Sequence, residues 1–329
     1  MALAYDYDVI RRSLGYGLVE DTIVPRQHKS EFDPEFKPAI PKDVRDMDRL
    51  LTAWVFIRPL VHLLGFGLCV NSGSVFLAWM MAPVLGGLVF QRSFTNAHNL
   101  VHGTYPLPKR FKRLLRELLM GFYGLMFGYA SHLFKETHHV HHHPSNRCGV
   151  NDDPESVCHR PAIQVIAFGP YFTARIFAYG FVHAKSRFDR VVGVLELLGV
   201  LTLAGLAAWT LSRYHHGVEV GPVAKALSFY AVEAAVLLWL FPFNAAWLPH
   251  QNCYDTVLGQ ARNSPGQYAA PFAQLVVFLL VGGTRWHLLH HAYQYIPSCN
   301  LGKLADVPEV DSWMAGQFGD EVRYHRHHH

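Results

Sequence analysis

Three groups of histidines have the spacing of metal ligands. His98 and His102 form an H-x-x-x-H. The run His138-His139-Val140-His141-His142-His143 contains H-x-x-H-H twice, starting at 138 or at 139. His287, His290 and His291 form a further H-x-x-H-H. Imidazole is the commonest side-chain metal ligand. Positions i, i+3 and i+4 of a helix share one face, so each group can present its rings together. Structural zinc takes four ligands and favours cysteine, so eight imidazoles are too many for one such ion. Eight nitrogens suit two metals with open positions. Imidazole serves zinc, copper, iron or nickel, and spacing alone leaves these open.

The rest of the composition excludes several other chemistries. The chain has 329 residues and 22 histidines, and an expression tag would account for only the last five residues, four of them histidines. That tail, His325-Arg326-His327-His328-His329, fits H-x-x-H-H by spacing but is expected to be a floppy tail or tag remnant. The five cysteines (Cys69, Cys148, Cys158, Cys253, Cys299) include no C-x-x-C pair, which argues against zinc ribbons and rubredoxin-like or ferredoxin-like sites. A net charge of +4 is too balanced to argue for nucleic acid. Half of the residues are hydrophobic and 16% are charged. A soluble domain carries about 25% charged residues, so the deficit points to a membrane.

The elements that must position the histidines are four apolar segments in two pairs. The first pair is about Thr52–Val70 and Val75–Gln91, joined by Asn71-Ser72-Gly73-Ser74. The second is about Val191–Leu211 and Ala224–Leu248, joined by a polar loop containing Arg213, His215, His216 and Glu219. At 1.5 Å per residue each segment spans roughly 25–35 Å, about a hydrocarbon core. They are apolar all round rather than on one stripe, which separates them from the helices of a soluble bundle. Leu114–His132, Ile163–Ala184 and Pro271–Gly283 are interrupted or short, and suit helices lying on the membrane surface. The predicted fold is therefore all-α and integral to the membrane. Four transmembrane helices form two hairpins, and a cytosolic helical cap carries the histidines. The predicted division is a cytosolic arm over 1–50 without an apolar leader, a membrane domain over 51–304 and a cytosolic tail over 305–329.

Orientation follows from the basic residues. Residues 92–190 hold thirteen Lys or Arg, and the two hairpin loops together hold only Arg213. The positive-inside rule puts both loops outside, and the middle segment and both termini inside. All three histidine groups then fall on the cytoplasmic side. Arg58 and Glu196, near inner ends, are expected to snorkel. Glu233 sits deep in the fourth segment, where a carboxylate is a functional candidate.

With these motifs in order, the chain resembles the membrane fatty acid desaturase superfamily. That superfamily also contains acyl hydroxylases, acetylenases, carotenoid ketolases and 1-alkene-forming decarboxylases. The likeness runs from about Ala39 to Leu304. It includes Ala39-Ile40-Pro41, the three histidine boxes and Asp153-Pro154-Glu155. It closes with His290-His291-Ala292-Tyr293-Gln294-Tyr295-Ile296-Pro297, which is similar to an HH-x-x-x-x-I-P ending. The resemblance implies two non-haem iron ions with O2 as co-substrate. The ligands it implies are His98, His102, His138, His141, His142, His287, His290 and His291. His138 is preferred to His139 because His141-His142-x-x-Ser145-Asn146 resembles the family's HH-x-x-T-N. His250 resembles an extra ligand that many members carry. The Asp-Pro-Glu lies further from its box than expected, and Arg285-Trp286 stands where many members carry Asn. These departures argue against a plain acyl-lipid desaturase.

A reduced iron pair supplies the reactivity toward an unactivated C–H bond, and the protein supplies position and electrostatics. Desaturation of a fatty acyl chain is the leading expectation. Acyl hydroxylation or acetylenation, decarboxylation to a 1-alkene, and carotenoid ketolation or hydroxylation share the same boxes. A metal-binding transporter or sensor is the non-enzyme reading, and it would place ligands within the spans. The chain has no nucleotide fingerprint, so electrons are expected from a separate ferredoxin, rubredoxin or cytochrome. The basic run Lys109-Arg110-x-Lys112-Arg113-x-x-Arg116 is a candidate donor-docking patch or a contact with lipid headgroups. Trp79, Phe241, Phe243 and Trp247 are candidates to line a substrate tunnel.

Overall fold

The computed structural model describes residues 40–138, 155, 157, 160–184, 186–247, 289–290, 293–310 and 312. Among these residues there are helices and no strand. They fall into two compact units that interleave along the chain. One comprises the described parts of 48–136 and 177–239, and the other those of 1–47, 137–176 and 240–329.

The first unit begins with α2 (Arg49–Asn71), which follows a short helix α1 (Lys42–Arg45) of the other unit. The Asp48 carboxylate accepts from the Leu51 N–H at 2.7 Å, supplying the acceptor a helix start lacks. A π-helical turn, Leu77–Met81, leads into α3 (Ala82–His102). A 3₁₀ turn (Lys109–Phe111) precedes α4 (Lys112–Phe127), and α5 (Ser131–Lys135) follows. Further on, α6 (Ala162–Ala167) and the start of α7 (Gly169–His183) belong to the other unit, and the first resumes within α7 and continues through α8 (Arg187–His215) and α9 (Pro222–Phe241). α2 lies along α3, where Asn96 Nδ2 donates to the Val55 carbonyl at 3.0 Å. Phe90 of α3 meets Phe127 of α4 with ring centroids 4.6 Å apart. The Tyr230 hydroxyl of α9 donates to the Met126 carbonyl at 2.6 Å. A side chain at Gly86 of α3 would collide with the Glu233 carboxylate of α9. Glycine there lets the carboxyl reach the Gly87 backbone.

Three described helical stretches are long and apolar enough to cross a membrane: Lys42–Asn71, Arg187–His215 and Pro222–Trp247. Only 22%, 17% and 33% of their most apolar windows are buried within the protein. Core helices of a soluble bundle would bury most of that surface, so these faces are built for lipid. The fourth expected span, Val75–Gln91, is not among the three. The π turn interrupts it, and its regular helix begins only at Ala82 and runs on into the polar Gln91–His102. Trp79, expected in a tunnel, is 75% exposed and faces outward.

The second unit joins two distant stretches of chain in one core. Val44 packs with Leu289, Tyr293, Ile296, Leu301, Leu304, Ala305, Val307 and Val310, with Ile40 at its edge. Asn300 Nδ2 donates to the Val44 carbonyl at 3.0 Å and to that of Asp46 at 3.3 Å. Pro297 starts a 3₁₀ turn (Ser298–Asn300) that runs into α10 (Leu301–Ala305). The Ile-Pro of the closing motif is thus a packing device, with Ile296 fully buried. A smaller core joins Val157, Val165 and Phe172 to Ala246 and Trp247 of a π-helical turn, Pro242–Trp247. The Trp247 indole donates to the Arg160 carbonyl at 2.8 Å.

Candidate metal centre

His98 and His102 occupy the last turn of α3. Their ring centroids lie 4.7 Å apart, as i and i+4 spacing requires. Two local devices fix this helix end. Gly103 adopts φ 69°, a left-handed conformation that glycine takes without strain. Its N–H and that of Thr104 close on the carbonyls of Leu100 and Asn99, both at 3.1 Å. Beside it, Tyr105 donates from its hydroxyl to Asn96 Oδ1 at 2.9 Å and accepts from Asn99 Nδ2 at 3.0 Å. All three side chains are buried. They brace the helical turn that carries the two histidines.

In the other unit, His138 and His290 stack with centroids 6.4 Å apart and planes only 9° from parallel. Both are buried. His138 Nδ1 lies 3.0 Å and 3.2 Å from the two carboxylate oxygens of Glu155. An ionised carboxylate only accepts, so Nδ1 carries the proton in this contact. Nε2 is then the nitrogen left for a metal. Metal-binding histidines are commonly oriented this way, with the second ring nitrogen held by a carboxylate. The donor set therefore fits a metal held by imidazole. His141, His142, His250, His287 and His291 lie outside the described residues.

Sequence reasoning missed three contributions. Glu155 stands in the sequence only as part of the Asp-Pro-Glu motif, and its distance from the histidine box gives no sign that it orients His138. Asn96, two residues before the first box, and Asn99, inside it next to His98, carry no spacing signal of their own on this buried helix end. The third is a buried cluster on α4, α5 and α8. His132 Nδ1 lies 2.7 Å from Glu196 Oε1, and Nε2 lies 2.8 Å from Glu117 Oε2. Glu196, expected to snorkel, is therefore turned inward, where the buried His132 meets it with its ring and its backbone N–H.

The long apolar helices and the histidine–carboxylate pairing define a class: helical proteins with stretches apolar enough to cross a membrane and with imidazoles that could hold a metal. A comparison with protein families makes this specific. The fatty acid desaturase family model matches residues 73–311, and the chain belongs to that family. Comparison with proteins of curated function and with solved structures gave no match.

Proposed function

We propose that the protein is an O2-dependent di-iron oxidoreductase that acts on an unactivated C–H bond of a fatty acyl chain, with desaturation as its reaction. Family membership supports the class of chemistry. The observation that carries the metal reading is Glu155 on Nδ1 of His138, which fixes a tautomer whose free nitrogen suits a metal. His98, His102, His138, His141, His142, His250, His287, His290 and His291 are the proposed ligands. The iron pair, when bound, supplies activation of O2 and abstraction of hydrogen. The protein's own part is to hold its rings in position. Glu155 sets the proton on His138, and Asn96, Asn99 and Tyr105 brace the helix end behind His98 and His102.

Four spans in two hairpins, with termini and metal centre in the cytoplasm, remain our reading of topology. A separate ferredoxin, rubredoxin or cytochrome supplies two electrons per turnover. Lys109, Arg110, Lys112 and Arg113 are candidates for its docking. Arg116 is already engaged by Glu117 at 2.6 Å.

Expression in a host with defined lipids, followed by gas chromatography of fatty acids and volatile hydrocarbons, tests the reading. A new double bond, absent in His138→Ala, supports desaturation. A terminal alkene or a hydroxy acid would reassign the reaction. Unchanged lipids, with full occupancy by a metal other than iron, would overturn the proposal.

A further inference from the structure

His132 lies outside the histidine boxes, and its side chain is 1% exposed. The carboxylates of Glu196 and Glu117 face its two ring nitrogens at 2.7 Å and 2.8 Å. Its backbone N–H donates to the other oxygen of Glu196 at 2.9 Å. Carboxylates only accept, so the two ring contacts need two N–H groups, and only the imidazolium has both. A neutral ring would set a lone pair against a buried negative oxygen.

The charges around it agree. From α4, Glu117 faces the ring and is held by Arg116. From α8, Glu196 and Asp189 reach the cluster, and Asp189 is bridged at 3.1 Å by Lys135 of α5 itself. Phe188 of α8 packs its ring edge-on at 5.9 Å. α3 meets α5 through Phe94 on Phe134, and carries Arg92, His98 and His102 as its charged or titratable groups. α7 meets α5 at Gly180, against Leu133, and carries Tyr171, Arg175, Tyr179 and His183. Around the ring, three carboxylates face Arg116 and Lys135, and a protonated His132 completes neutrality. A divalent cation bound by Glu117, His132 and Asp189 would instead sit beside two fixed cations.

We infer that His132, held as an imidazolium between Glu117 and Glu196, is a positioning residue that anchors α5 and thereby the turn leading to His138, six residues on. It ties α5 to α4 through one nitrogen and to α8 through the other. The ion pairs hold its proton against the cost of burial, raising its pKa to about 9. The clamp stands on the geometry around His132 alone. Its role as a positioning residue rests on the metal-centre reading.

The test is hydrogen–deuterium exchange of full-length protein in detergent, following peptides that cover Ser131–Glu136, with protection corrected for the intrinsic pH dependence of exchange. In the unfolded chain His132 titrates near its ordinary value of 6.5. Protection should be greatest between pH 4.5, the ordinary value of Glu117, and that pH. It should then fall by up to tenfold per pH unit until about pH 9 and level off. His132→Gln should lose protection and the pH dependence together. Glu117→Gln keeps the tie to α8, and should move the fall to lower pH even if His132→Gln does not fold. Protection that is flat with pH overturns the clamp. Protection that rises with pH also overturns it, because a metal at these ligands binds tighter as protons leave. Iron content is read in parallel. A lower content in His132→Gln supports positioning, and a wild-type content in that variant overturns it. Wild-type protein without metal removes the metal-centre reading and the positioning role, whatever the exchange profile shows.

Discussion

The Glu155 carboxylate lies 3.0 Å from Nδ1 of His138, and both groups are buried. Seventeen residues of chain separate them. A contact of this kind fixes both the tautomer and the orientation of a ring, so its loss should be felt by a metal. Glu155→Gln keeps the size but gives up the charge and half of the accepting capacity. We expect roughly 10- to 100-fold weaker metal affinity, the range seen when orienting partners are removed. Metal analysis of purified protein after dialysis against graded chelator checks this. Wild-type retention in the variant would show that Glu155 does not orient a ligand.

Tyr105, Asn96 and Asn99 should behave as a unit. Tyr105→Phe removes one hydroxyl and leaves both amides short of a buried partner. Leaving a buried polar group unsatisfied costs about 1–3 kcal/mol. Asn99→Ala added to Tyr105→Phe should cost less than the sum of the single changes, since the partner is already gone. Thermal unfolding of the four proteins in one detergent gives the coupling, and strict additivity would rule out the network.

The sequence disclosed the chemistry more fully than the architecture. His98 and His102, or His290 beside Ile296-Pro297, are legible because a metal constrains residue type and spacing in short windows. Val191–Leu211 and Ala224–Leu248 are legible as long runs of one polarity. The span at Val75–Gln91 is less so, because hydropathy does not report the π turn at Leu77–Met81. The inward turn of Glu196 was hidden for another reason. Its partners, Glu117 and His132, lie on two other helices and follow no local pattern. The core that joins Val44 to Leu301 and Leu304 is invisible to pattern reading for the same reason.

That core makes a prediction at Asn300, which is fully buried and bonds the carbonyls of Val44 and Asp46. Asn300→Ala leaves the buried Val44 carbonyl and the part-buried Asp46 carbonyl short of a donor. A loss of about 1–3 kcal/mol is expected. Limited proteolysis should then cut sooner near α1, while Asn300→Asp should do no better, because an ionised carboxylate cannot donate. Rescue by Asp would contradict the contact.

Gly86 and Glu233 should be coupled. A methyl at 86 would push the end of the Glu233 side chain aside and away from the Gly87 backbone. Gly86→Ala should destabilise the protein by about 1–3 kcal/mol, as overpacking does. Glu233→Ala should relieve most of that cost, whereas Glu233→Gln, equal in size, should not. A double-mutant cycle by thermal unfolding in nanodiscs separates these outcomes. If Gln rescues as well as Ala, the conflict is one of charge and not of space.

The Glu117–His132 pair sets limits to stability on both sides of neutrality. Burial alone would raise the Glu117 pKa, but the bonds from His132 and Arg116 outweigh it and hold it at about 2, below its ordinary 4.5. A depressed carboxylate stabilises fully above its unfolded pKa, and this contribution fades as pH falls from 4.5 toward 2. His132 has the opposite sign. Its contribution is complete below 6.5 and fades as pH rises toward 9. The shared interaction is thus greatest between pH 4.5 and 6.5. Counted once for the pair, it contributes on the order of 2–3 kcal/mol. Glu117→Gln should remove its part of the acid limb and shift the alkaline limb to lower pH, because the imidazolium keeps only Glu196. The measurement is the unfolding midpoint between pH 3 and 10 for wild type and variant. Identical alkaline limbs would mean that Glu117 does not face a protonated ring.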